Sequence, residues 1–251
     1  MSEPVRDLMH YLGIEEENVL KNITNLGEEF LLIPNLDILY RTCFDLQPIN
    51  KPELKIPAFL FLNAHIEFLL GMASFLRLHQ SKTFLSLRIA LDCSFTSYYL
   101  LKHPDKREVY LSPIFEKDDS KLINEWNKIF RNIKRTIEKD IDNFPEAKDL
   151  PKIHDFCSKY AHADALGIMP RYNEDKKKLI LEAQYFDYEP TPEDEKKWLG
   201  ALLFGFFRIF LVFWNEMFKQ RAGDKLKEIE NRIVQYQKRL SLFRERYPLR
   251  G

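Results

Sequence analysis

Residues 198–218 read WLGALLFGFFRIFLVFWNEMF, the most apolar run in the chain. Apolar side chains fall on every face of a helix drawn through it, so such a helix must be wrapped by neighbours or by lipid. Its start is well marked. Thr191 offers a capping hydroxyl, Pro192 suits the first helical position, and Glu193, Asp194 and Glu195 lie over the positive end of the helix dipole. The run is long enough to cross a bilayer. Arg208 at its middle argues against that, because a charge is costly in hydrocarbon. Gly200 and Gly205 mark close helix contacts, and no second span stands out in a highly charged chain. The reading is the central helix of a water-soluble bundle; membrane association through Trp198–Phe218 is the alternative that ranks third.

Composition agrees with a bundle. The 251 residues are 45% hydrophobic and 30% charged, ordinary for a globular protein, and suffice for one large domain. Formal net charge is zero, so no overall field draws the chain to nucleic acid or anionic lipid. Only 8 glycines argue against a turn-rich β fold, and 20 Phe with 11 Tyr predict an aromatic core. Cys43, Cys93 and Cys157 are odd in number and widely spaced, which fits buried, reduced thiols and a cytoplasmic location. The opening MSEPVRDLMHYLG lacks a basic-then-apolar leader and reads as an amphipathic helix.

Working outward, the pattern predicts helix over 3–32 with a break near Gly13, then a short helix over 35–45. LQPINKPELKIP (46–57) holds three prolines and reads as a loop. The next apolar run predicts a helix over 57–79, followed by one over 82–102 capped by Ser81, the two forming an antiparallel hairpin. Residues 103–119 read as loop. A stripe of Leu122, Trp126, Ile129, Ile133, Ile137 and Ile141 predicts an amphipathic helix, and Pro151 opens a shorter one through about Asp164. From Gly167 the period shortens, and IMPRY and KLILEAQYF predict a small two-stranded β-hairpin.

Past Gly223, with Asp224 as the expected cap, Leu226, Ile229, Ile233, Tyr236, Leu240, Phe243 and Tyr247 recur as an a/d heptad seam. The seam suits packing on the chain's own helices, or a homodimer or partner helix. Residues 219–250 carry ten Lys/Arg against four Asp/Glu, a charge run that reads as a solvated face and only weakly as a nucleic-acid contact. The expected architecture is therefore all-α: a multi-helix bundle over 1–222 with the small hairpin, and a C-terminal heptad-patterned extension over 223–251.

No Gly-rich phosphate loop, GxSxG, HExxH or CxxC motif is present. Arg88 and Asp92 share a helix face and are expected to pair. Glu67, Asp92, Arg88 and Arg208 would make a neutral buried network if they met. In SKYAHAD, Ser158 and His162 share a face with His154 one turn earlier. Were that helix to pack on the Ser81 helix, His162, Arg88 and Asp92 would form a catalytic or anion-binding cluster, His162 carrying a proton and Arg88 gripping the anion. Tyr160, Ser158 and Arg208 are the accompanying ligand-binding candidates. His154, Cys157 and His162 have metal-ligating types but lack a fourth ligand at a familiar spacing, so no metal and no cofactor is expected.

The order of elements is itself informative. A helix with Arg88 and Asp92, the aromatic YYLLKHP, a later SKYAH helix, a short hairpin and a final apolar helix resemble uncharacterised bacterial helical proteins, similar in turn to the HEPN superfamily. The resemblance covers roughly residues 57–220. It implies a helical fold and a nucleotide- or RNA-related setting. Active ribonucleases of that superfamily carry an arginine and a histidine a few residues apart on one helix. Here Lys159 precedes His162 with no arginine at that spacing, so the resemblance implies a binding or interaction protein without complete catalytic machinery. The alternative is an enzyme that binds nucleotide or RNA phosphates through Arg88, Asp92 and His162.

Overall fold

The computed structural model describes residues 6–46, 51–115, 120–140, 142, 145–161, 172–175, 180–183 and 190–248, and these are overwhelmingly helical. In chain order they form α1 (Leu8–Leu26), α2 (Leu32–Phe44), α3 (Pro52–Leu76), α4 (Gln80–Lys102), α5 (Arg107–Phe115), α6 (Ser120–Asp140), α7 (Leu150–Ala161), α8 (Pro192–Phe213) and α9 (Leu226–Arg246).

The hub is α8. Thr191 Oγ1 accepts the Asp194 N–H at 3.2 Å, which satisfies a donor that the first turn leaves orphaned. From Leu199 to Phe213 nearly every side chain is buried, and the helix runs into a π-helical turn, Trp214–Phe218. Two helices, α8 and α3, are long and apolar enough to cross a membrane, so the expectation of no second span is corrected. In α8 most of that apolar surface is covered by other helices of the chain.

Around α8 the aromatic prediction is realised. Tyr40 of α2 sits among Phe61, Phe68 and Phe210, with ring centroids 5.3–5.7 Å apart in stacked or edge-on pairs. The Gly205 position, where an added Cβ would stand 3.1 Å from Leu87 Cδ1, lets α4 and α8 approach closely. Antiparallel α3 and α4 form the expected hairpin through Arg77–His79. Leu78 takes φ +61 there, and the His79 N–H reaches back to the Ser74 carbonyl at 2.9 Å.

Several boundaries differ from the sequence expectation. Helix α1 runs through Gly13 without a break and stops at Gly27, whose φ of +59 is left-handed. Helix α3 begins at Pro52, inside the predicted loop. Pro52 stands at the helix start, where a missing N–H is harmless, and Pro57 follows within the helix. The stretch 103–119 was expected as loop but holds a 3-10 turn and α5. Neither Ser81 nor Asp224 caps its helix: His79 and Lys225 hold those places without side-chain cap bonds. The β-hairpin expected after Gly167 falls largely among residues outside those described.

The heptad seam on α9 is turned inward. Ile229, Ile233, Tyr236, Leu240 and Phe243 are buried and belong to the same core cluster as α2 and α8, with Leu226 packed at its edge. The packing reading of that seam describes these side chains.

Candidate functional site

Helices α4 and α7 pack antiparallel, so Phe84 meets Tyr160 and Phe156 while Asp92, two turns on, meets His154. The expected Arg88–Asp92 pair does not form. His154 Nε2 donates to Asp92 Oδ1 at 3.0 Å instead, and Asp92 is exposed. On the other side of the imidazole, Nδ1 lies 3.7 Å from Asp155 Oδ1, and Lys134 of α6 bonds the same oxygen. That Lys134 hydrogen bond holds the Asp155 carboxyl below the usual carboxylate range.

Arg88 is half-buried beside Cys157, its Nε without a hydrogen-bond partner among the described residues. The neutral network of Glu67, Asp92, Arg88 and Arg208 is not assembled among the described ion pairs. Ser158 spends its hydroxyl on the His154 carbonyl within its own helix, at 2.8 Å. Tyr160 packs at tilted angles against Phe84 and Phe156, and burial raises its phenol. His162 lies outside the described residues. Along the α4–α7 seam Asp92 meets His154, Arg88 lies beside Cys157, and Tyr160 packs against Phe84. Among the described residues no group of three His, Cys, Asp or Glu side chains is placed to hold a metal ion.

A concavity lies beside this row. A cavity of about 480 Å³ opens between α4, α7, α8 and α9, in the range of small-molecule pockets. Phe84, Leu87, Phe156, Trp198, Leu202 and Phe204 wall it. Lys152, Lys197, Arg244 and Asp149 supply its charges. Lys197 is neutralised by Glu193 at 2.9 Å and Asp194 at 3.1 Å. A second cavity of about 310 Å³ adjoins it, sharing Phe204 and Arg244 and adding Arg208. The Arg244 guanidinium lies 3.9 Å from the Phe204 ring centroid and that of Arg208 lies 5.1 Å from it. Desolvation pulls the Arg244 guanidinium below its ordinary range; the Asp149 carboxylate opposes this and the Arg208 charge adds to it.

The sequence pattern singled out Arg208 but neither its neighbours Arg244 and Phe204 nor Trp198 on the cavity wall. Arg244 sits in a basic run on a helix whose burial depends on which face turns inward, and nothing local in the sequence distinguishes it. The His154–Asp92 contact joins residues on separate helices, which no spacing rule reaches.

A further surface feature lies on α3. Phe61, Ala64, Phe68, Met72 and Phe75 are buried, while Phe59, Leu62, Ile66, Leu69 and Leu70 on another face are exposed, Phe59 at 70%. Phe44 of α2, 43% exposed, extends this face beside His65.

Compared with known proteins, the chain matches no family model, no curated protein sequence and no solved structure.

Proposed function

We propose that this chain is a HEPN-like helical binding protein that acts through association with another protein chain. The observation that carries the reading is the exposed face of α3. Phe59, Leu62, Ile66 and Leu69 repeat at alternating three- and four-residue steps, the spacing of a coiled-coil seam, yet no described element covers them. The occupant is a second copy of the chain. A heptad seam is self-complementary when two copies meet about a two-fold axis, and between Lys55 and Arg77 this line of the helix carries no charge that would repel itself.

The test is sedimentation of the full chain and of an Ile66→Glu variant. Ile66 is exposed, so the substitution leaves the core intact. A dimer for the wild type and a monomer for the variant support the reading. A monomeric wild type across the micromolar range, or a dimer untouched by Ile66→Glu, overturns the second copy as occupant.

The same reading includes a cytoplasmic location, supported by three buried free thiols. It also includes a small hairpin between α7 and α8, supported by the antiparallel backbone pairing of Tyr172–Asp175 with Ile180–Ala183. The second function reading, an enzyme or ligand-binder acting on nucleotide or RNA phosphates, is favoured by the buried, unpartnered Nε of Arg88. Equal nucleotide binding and RNA cleavage by wild type and a His162→Ala, Arg88→Gln double variant would remove it.

A further inference from the structure

Arg208 and Arg244 share one aromatic ring and have no hydrogen-bonded or ion-paired acid among the described residues. Two guanidinium groups on one ring repel each other and together favour an anion. Asp149, on the wall of the adjoining cavity, acts on Arg244 through space and offsets part of its charge, without an ion pair among the described residues. Nearby, Lys197 meets two acids. Arg208 is half-buried and Arg244 exposed, and the arginine pair lies where two cavities join.

The cavity beside the pair is of the opposite character. Phe84, Phe156, Trp198 and Phe204 form an aromatic wall around a space large enough for a ring system or a short acyl chain. Its rim carries Lys152 besides Arg244. An apolar recess ending at two fork donors without an ion-paired acid among the described residues matches a molecule with the same polarity profile.

We propose that the cleft between α4, α7, α8 and α9 binds an amphipathic anion, its apolar body against Phe84, Phe156 and Trp198 and its phosphate or carboxylate head held by Arg244 and Arg208. The head neutralises the arginine pair, and the body fills the recess. Neither half suffices alone: inorganic phosphate lacks the buried apolar area, and a neutral ring gains nothing from the arginines. This site is independent of the α3 face, so the association of copies and the binding of the anion can fail separately.

The experiment is isothermal titration of the full chain with 1-naphthyl phosphate, 1-naphthoate, inorganic phosphate and the neutral 1-naphthol. The wild type is expected to bind the phosphate or the carboxylate probe saturably, and to bind inorganic phosphate and 1-naphthol at least about tenfold more weakly. The tighter of the two anionic probes identifies the head group. An Arg208→Gln, Arg244→Gln variant is expected to lose about tenfold or more in affinity for the anionic probes. Ala201 lines the recess, so an Ala201→Phe variant fills it while keeping both arginines, and is expected to lose the same probes. Circular dichroism and thermal melting establish that each variant is folded, and either variant alone serves if the other is not. Absence of saturable binding of both anionic probes to the wild type, or unchanged affinity in a folded variant, overturns the proposal.

Discussion

Tyr40 donates its hydroxyl hydrogen bond to the backbone carbonyl of Phe206 at 2.9 Å, tying α2 to the middle of α8 across 166 residues of sequence. Tyr236 of α9 lies in the same core, equally buried, yet its hydroxyl has no partner among the described residues. The two phenols therefore separate the worth of burial from the worth of a hydrogen bond. Tyr40→Phe is expected to lower stability by about 1 kcal/mol, while Tyr236→Phe is expected to leave it unchanged or raise it. Chemical denaturation of both variants checks the contrast, and equal losses would contradict it.

Burial raises the phenols of Tyr40 and Tyr236 well above the ordinary tyrosine value. The folded state thus favours their neutral forms. Their contribution is complete below the unfolded value, about pH 10, and is lost progressively as pH climbs from there toward the folded value. Stability should hold to about pH 10 and then fall by up to about 1.4 kcal/mol per pH unit for each such phenol. Denaturation midpoints measured from pH 8 upward, with tyrosinate absorbance followed in parallel, read this out. Ordinary titration of all tyrosines in the folded protein would count against it.

Cys43, Cys93 and Cys157 are buried and free. Burial pushes the Cys93 thiol up to about 11 and the Cys157 thiol up to about 12, and raises Cys43 further still. Because the thiolate is the reactive form, an aromatic disulfide reagent at pH 8 is expected to label all three only after denaturation. Rapid labelling of the native protein would show a cysteine lying nearer the surface.

Gly205 admits Leu87 with almost no slack. An alanine would place its Cβ 3.1 Å from one Leu87 methyl and 3.2 Å from the other, so a small shift of Leu87 is needed. Gly205→Val adds branches that α4 cannot yield to, and is expected to destabilise by about 1–3 kcal/mol more than Gly205→Ala. A thermal melt of the two variants measures the difference.

Leu78 holds a left-handed φ of +61 where the α3–α4 turn closes. A leucine there carries roughly 1–2 kcal/mol of backbone strain that glycine does not. Leu78→Gly is expected to raise stability by about 1 kcal/mol or leave it level, as the relief is partly offset by the freedom glycine adds to the unfolded chain. A clear loss would mean that the half-buried leucine side chain outweighs its backbone.

The helices were legible because their signals are local. The Thr191–Pro192 start of α8, the Ile129–Ile133–Ile137 stripe of α6 and the a/d pattern of α9 need only a few adjacent residues to be read, and each became the expected element. Errors fell where local rules point both ways. Prolines at 52 and 57 read as loop punctuation, but a proline at a helix start forfeits nothing, and the second is carried by the apolar packing of α3. The candidate site was less legible. Arg88 and Asp92 share a face as their spacing requires, but Asp92 has an imidazole from α7 within hydrogen-bonding distance, and that contact prevails over a solvent-exposed i,i+4 pair of small intrinsic worth.

The sequence by itself determined that the chain is helical, that residues 198–218 are its hub, and which side of α6 and α9 is apolar, because periodicity and capping are properties of neighbours along the chain. Only the tertiary structure decided which apolar faces are covered. The two stripes of α3 cannot be told apart in a continuous apolar run, and one is buried while the other meets solvent. It likewise decided that Arg244 comes to rest beside Arg208 on the ring of Phe204, a meeting of α8 and α9 made by packing and encoded in no local pattern.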